Sequence, residues 1–137
     1  MTNQLFVYGS LMPALTSAFG KAERTRLAKE STVIGPAHVA GRLYDLGDYP
    51  GLVCDEHAPT QVHGVLVRLV SADQTFHWLD AFEDIVPSRA RTENVYVRVL
   101  RPVRSGGQNF EVWIYELQRQ PEGASEIGSG RWNVPSL

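Results

Sequence analysis

The chain has one cysteine, Cys54, so neither an intrachain disulfide nor a thiolate cage for zinc can form. A reducing, cytoplasmic setting is the default expectation for such a chain. It has no excess of positive charge either: 13 Lys and Arg stand against 15 Asp and Glu, a net charge of -2. That balance removes the electrostatic reason to expect a protein that wraps nucleic acid. It has no apolar stretch of the ~20 residues needed to span a membrane. The uncharged start before Lys21 does not read as a signal peptide, because Gly9, Ser10 and Pro13 interrupt its apolar runs. His38, His57, His63 and His77 show no metal-ligand spacing, Ser10 lacks a G-x-S-x-G setting, and Gly9 stands outside any phosphate-binding glycine motif. Metal, serine-nucleophile and nucleotide chemistry therefore have no sequence support.

What remains is a chain of 137 residues, 43% hydrophobic and 20% charged, the size and make-up of one domain covering 1–137. Leu5 to Tyr8 reads as a strand stopped by Gly9-Ser10. Leu15, Ala18, Phe19 and Ala22 then recur at helical spacing, which predicts a helix over roughly Pro13–Ala28 with Pro13 in its first turn. Val33 to Leu46 reads as strand broken by Gly35-Pro36 and Gly41, and Val62 to Val70 as a central strand covered on both faces. Val95–Leu100 and Phe110–Leu117 alternate, with Val95, Val97 and Val99 sharing one side, and Ser105-Gly106-Gly107-Gln108 reads as the hairpin connection between them. The Gly- and Pro-rich tail from Gln118 reads as an ordered wrap or a frayed end. This order gives an α+β fold, a small mixed β-barrel or strongly bent sheet flanked by helices.

Two local patterns carry chemistry. Ser71 with Gln74 predicts a capping box opening a second helix. Its apolar stripe runs through Ala72, Phe76 and Leu79, with Phe82 alongside, and stepping on by three and four lands on Glu83. Asp73, His77, Asp80 and Asp84 fall on a separate, solvated face. Glu83 is then the one acid of this segment drawn toward the core, where its pKa would rise and suit it to exchange protons near neutrality; the alternative is a helix-end glutamate reaching water. In the turn Tyr8-Gly9-Ser10-Leu11, a glycine without Cβ lets a ligand approach, and backbone amides can meet a carboxylate or an oxyanion; the alternative is an ordinary strand-to-helix turn. Arg89, Arg91, Arg98, Arg101 and Arg104 form a basic stretch read as a solvated face or the border of a leaving-group site, with no specific nucleic-acid binding expected.

Taken in order, Leu5-Phe6-Val7-Tyr8-Gly9-Ser10-Leu11, Gly41-Arg42-Leu43-Tyr44-Asp45-Leu46-Gly47, Tyr49-Pro50-Gly51, Val62-His63-Gly64-Val65-Leu66, Leu79-Asp80-Ala81-Phe82-Glu83, Tyr96-Val97-Arg98, Tyr115 and Ile127-Gly128-Ser129-Gly130-Arg131-Trp132 resemble the gamma-glutamylcyclotransferase-like family. The resemblance implies a small mixed barrel flanked by helices and a reaction that needs no metal or organic cofactor. In that reaction a gamma-glutamyl group cyclises: its α-amine attacks its own γ-amide carbonyl, giving 5-oxoproline and a free amine or amino acid. By resemblance, Glu83 is the catalytic base and acid, Tyr8, Gly9, Ser10 and Leu11 bind the glutamyl moiety, and Tyr115 lies in the same pocket. The partner it implies is a small gamma-glutamyl molecule, with no nucleic acid and no membrane. The rival reading is a non-catalytic small-molecule-binding or interaction module on the same fold. Three departures stand out: Asp84, where the family usually follows the acid with glycine; Met12-Pro13-Ala14 after Leu11, in place of the more usual glycine and asparagine; and a segment from Ile85 to Asn94 that is longer and more basic than the pattern.

Overall fold

A computed structural model describes residues 2–85 and 94–132. Its elements are β1 (Gln4–Val7), α1 (Lys21–Lys29), β2 (Ser31–Asp45), β3 (Pro50–Cys54), β4 (Gln61–Leu69), α2 (Ala72–Phe82), β5 (Tyr96–Ser105), β6 (Gln108–Leu117) and β7 (Ser125–Glu126). Five strands close a barrel in the order β2-β4-β1-β6-β5, with β5 returning to β2 through His38 and Arg104. The β1–β6 pairing, centred on Leu5 and Trp113, is parallel, and the other pairings are antiparallel. β3 and β7 pair with β2 outside this circuit. The expected mixed α+β barrel is the fold observed.

Alternation along the strands builds two cores from one sheet, because successive side chains point to opposite faces. On β1, Phe6 faces a barrel interior filled by Leu43, Leu52, Val62, Leu66, Val103, Val112 and Ile114. Its neighbours Leu5 and Val7 face outward, where Val67, Leu69, Tyr96, Tyr115 and Leu117 pack under Phe76 and Leu79 of α2 and Leu27 of α1. β4 is thus covered on both faces, as its sequence predicts. Leu79 is fully buried, and truncating such a leucine to alanine removes about 2–5 kcal/mol.

Several local expectations give way. The first helix starts eight residues later than its periodicity suggests. Pro13 takes the second position of a turn closed by Leu15 N to Met12 O (3.1 Å), which suits its fixed φ, and Gly20 enters the helix with φ 74°. β2 is one strand of 15 residues. A bulge lies between Val33 and Gly35, and from Gly41 onward the strand exchanges β4 for β3 as partner, so its glycines mark changes of pairing and not breaks. Ser71 occupies the N-cap of α2, yet its side chain makes no capping bond. β5 starts at the buried Tyr96, one residue after the start its alternation suggests, and Val95 lies exposed before it. As far as Trp132 the tail is an ordered wrap: β7 joins β2, His63 N donates to Gly130 O at 2.8 Å, and Trp132 enters the barrel core. Gly106 and Gly107 both have positive φ (58° and 78°), as a two-residue hairpin loop requires. Among the described residues no helix is long and apolar enough to cross a membrane.

Candidate active site

A cavity of about 200 Å³ lies between the turn after β1, the start of β3 and the C-terminal end of α2. Tyr8, Gly9, Ser10, Leu11, Glu83 and Tyr115 all line it. The structure therefore brings the six residues singled out from the sequence to one place.

The turn is built by three contacts. Met12 N donates to Gly9 O (3.0 Å), so Ser10 and Leu11 are its central residues and their amides lie outside the closing bond. A Cβ on Gly9 would stand 2.9 Å from Pro50 Cγ, so the space glycine leaves is taken by the proline ring that opens β3, and not by an incoming ligand. Arg24 of α1, only 8% exposed, donates to the carbonyls of Ser10 (2.7 Å), Ser17 (2.6 Å) and Phe19 (3.4 Å). A buried guanidinium thus fixes the whole segment from Ser10 to Phe19, and bonds from a charged donor are the stronger kind.

Glu83 caps the C-terminus of α2, its own amide bonded to Leu79 O at 2.9 Å. The residue is partly exposed. Burial of its carboxyl, and secondarily the nearby Asp80 charge, still push its pKa up from 4.5 to about 7. Asp84 follows with φ 58°, the left-handed conformation that glycine adopts most readily and aspartate tolerates. The departure from the family pattern at this position therefore sits where glycine would be at home.

Three tyrosines surround the acid, and each phenol gives its single proton to the protein. Tyr8 donates to the Tyr115 carbonyl (2.5 Å) and Tyr96 to the Pro50 carbonyl (2.9 Å). Tyr115 donates to Asp80 Oδ1 (2.5 Å). Burial, first of all, raises the pKa of each above the ordinary tyrosine value. The phenol oxygens can then act toward a ligand only as acceptors. An aromatic edge completes the cavity, with Phe19 stacked on Tyr49 (ring centroids 5.5 Å apart) and tilted against Phe82 (6.2 Å).

Sequence reasoning missed Asp80, Arg98, Arg24, Phe19, Tyr49 and Tyr96. Asp80 does not lie on a free solvated face: Arg98 Nε reaches its Oδ1 at 2.9 Å and Nη2 its Oδ2 at 3.3 Å. Its position one turn before Glu83 was the available signal. Within the basic stretch, Arg98 is thus paired with Asp80 and Arg101 with buried Glu116, while Arg89 and Arg91 lie outside the described residues. Cys54 is half-buried, and burial with the Glu116 charge pushes its thiol up to about 12.

Residues 5–134 match the family described as Gamma-glutamyl cyclotransferase, AIG2-like. Among solved structures, ytfP from Escherichia coli is 28% identical, with 94% of this chain and 95% of that chain covered and a TM-score of 0.60. An AIG2-like protein from Mus musculus is 19% identical, with 98% and 97% covered and a TM-score of 0.68. YkqA from Bacillus subtilis is 22% identical over 96% of this chain, with a TM-score of 0.68, and this chain spans 40% of that protein's length. No match exists among the curated proteins.

Proposed function

This chain belongs to the gamma-glutamyl cyclotransferase, AIG2-like family, and from that premise we propose that it cyclises a gamma-glutamyl amine or peptide to 5-oxoproline. One observation carries the reading: a carboxyl with its pKa raised to about 7 shares a cavity with the Ser10–Leu11 turn, whose two amides lie outside the turn's own hydrogen bond.

The polar lining supports a substrate bearing both an ammonium and a carboxylate. The phenol oxygens of Tyr96 and Tyr115 and the Glu83 carboxylate accept hydrogen bonds, which suits an α-ammonium group. The Ser10 and Leu11 amides donate, which suits a carboxylate or a carbonyl oxygen gaining charge. A glutamyl headgroup has this pairing of charges. The fixed turn and acid hold it in a near-attack geometry, the main demand of an intramolecular five-membered ring closure.

In the proposed reaction Glu83 removes a proton from the α-ammonium. The freed amine attacks the γ-carbonyl carbon, forming the ring C–N bond. The tetrahedral oxyanion is stabilised by turn amides. It collapses with cleavage of the bond to the departing nitrogen, which takes the proton from Glu83, while the ring nitrogen loses its second proton to solvent, leaving the neutral lactam and the free amine. One carboxyl with a pKa near neutrality serves as base before attack and as acid after it.

Incubation with a panel of gamma-glutamyl amines, dipeptides and peptides, scored for 5-oxoproline, tests this directly. Release of 5-oxoproline with the matching free amine is expected. Saturable binding of the panel without any 5-oxoproline would replace the enzyme with a binding module on the same fold.

A further inference from the structure

We propose that Asp80 is a second functional carboxylate of this site, a positioning residue that orients the Tyr115 phenol and, through its fixed pair with Arg98, sets the charge environment in which Glu83 works. The inference rests on the reading of Glu83 as the proton-transfer group.

The Asp80 carboxylate is held at both oxygens. Arg98 meets it with two parallel N–H donors at 2.9 and 3.3 Å, and Tyr115 adds a third donor at 2.5 Å. Arg98 itself has little freedom, because its guanidinium lies 4.0 Å from the Phe76 ring centroid and 4.6 Å from that of Trp113. α2, β5 and β6 thus converge on one ion pair. Planar, doubly bonded and flanked by rings, it has the geometry in which an arginine–carboxylate pair is most rigid. A pair needed only to dock α2 on the barrel would not require the phenol of a cavity residue as its third donor.

Two consequences follow for the cavity, whose wall Asp80 does not itself form. First, the phenolic proton of Tyr115 points to Asp80, so its oxygen faces any ligand as an acceptor. Second, a negative charge stands one helical turn before Glu83 and makes it a stronger base, while the Arg98 charge offsets part of that field. Among the described residues, the other groups around Glu83 are the phenols of Tyr8 from the end of β1, Tyr96 from β5 and Tyr115 from β6, each neutral near pH 7, and the carboxylate of the adjoining Asp84. Arg24, on α1, is bonded to the turn carbonyls. Glu83 is thereby tuned by burial and by the Asp80–Arg98 pair.

The test is a ¹³C NMR titration of the Glu83 carboxyl in the wild-type protein, Asp80→Asn and Arg98→Met, which needs no substrate. Asn keeps an acceptor for Tyr115 and removes only the charge. Its Glu83 midpoint is expected to fall by ~0.5 pH unit or more, about threefold in acid dissociation constant. Removing Arg98 exposes the Asp80 charge, so the midpoint is expected to rise. The acid limb of the kcat/KM–pH profile should move with each midpoint. A Glu83 midpoint unmoved by Asp80→Asn, or moved in the same direction by both variants, overturns the proposal. Opposite shifts in a protein that releases no 5-oxoproline would uphold the tuning and reject the cyclase reading.

Discussion

Replacing Glu83 by glutamine separates a proton-transfer acid from a structural one, and its size follows from the site. The folded pKa is raised from 4.5 to about 7, a difference of about 2.5 pH units. At ~1.36 kcal/mol per unit, that is an upper figure of ~3 kcal/mol of stability linked to this proton. Because the residue is partly exposed, solvent screening brings the expected value to about 1–3 kcal/mol. The sign is fixed by the direction of the shift. Below about pH 4.5 Glu83 is protonated in both states and its contribution is whole. Between there and about pH 7 the unfolded chain ionises while the folded one holds its proton, so stability falls as pH rises. Glutamine cannot ionise. The difference in melting temperature between Glu83→Gln and wild type should therefore grow in favour of the variant from pH 5 to 8. For a domain of this size it should reach several degrees, at ~3–5 °C per kcal/mol. Release of 5-oxoproline should meanwhile fall by ~10²–10⁴, the usual worth of general acid–base assistance, while substrate binding survives on the turn amides. Calorimetry across pH and a 5-oxoproline assay on the same two proteins read both effects. Full activity in the variant, or a melting difference flat across pH, would refute the reasoning.

Tyr115→Phe removes both the donor to Asp80 and an acceptor in the cavity, so KM for a gamma-glutamyl substrate should rise by about tenfold, one hydrogen bond's worth, in steady-state kinetics. Gly9→Ala forces a Cβ against the Pro50 ring and should lower stability by about 1–3 kcal/mol in urea unfolding, with weakened substrate binding. Arg24→Met strips the donor from three turn carbonyls; faster hydrogen exchange confined to the segment from Ser10 to Phe19, and a raised KM, are expected. Cys54, with its thiol pushed up to about 12, should react with a thiol reagent at pH 8 at least ~10-fold more slowly in the native protein than in urea.

Sequence patterning conveyed the parts of the candidate site's cavity that depend on a single element. Glu83 was legible because helical spacing from Phe76 and Leu79 leads to it, and the turn because Gly9-Ser10 ends an apolar run. Contacts that cross between elements were not. Asp80 reads as solvated on a helix drawn alone, and becomes a paired carboxylate only because Arg98 from β5 and Tyr115 from β6 arrive beside it. The early helix failed for a related reason. Leu15 packs against the barrel core and Phe19 lines the cavity, both from a loop, and their spacing mimics a helical stripe. The capping box at Ser71 is a pattern without its bond, since local spacing does not fix where a hydroxyl points.

The bond from the Tyr8 hydroxyl to the Tyr115 carbonyl joins residues 107 positions apart. It lies beside the parallel β1–β6 seam that completes the barrel circuit. The cavity draws its walls from both sides of that seam, so no stretch of consecutive residues can assemble it. Loop closure of this length is met late in forming non-local sheets, because the entropy of the intervening chain must be lost before the contact stabilises anything. Formation of the cavity is thus tied to the slowest kind of contact in the molecule. A chain still emerging from synthesis carries Tyr8 and the turn long before it carries Tyr115, and has no pocket until β6 is delivered to β1.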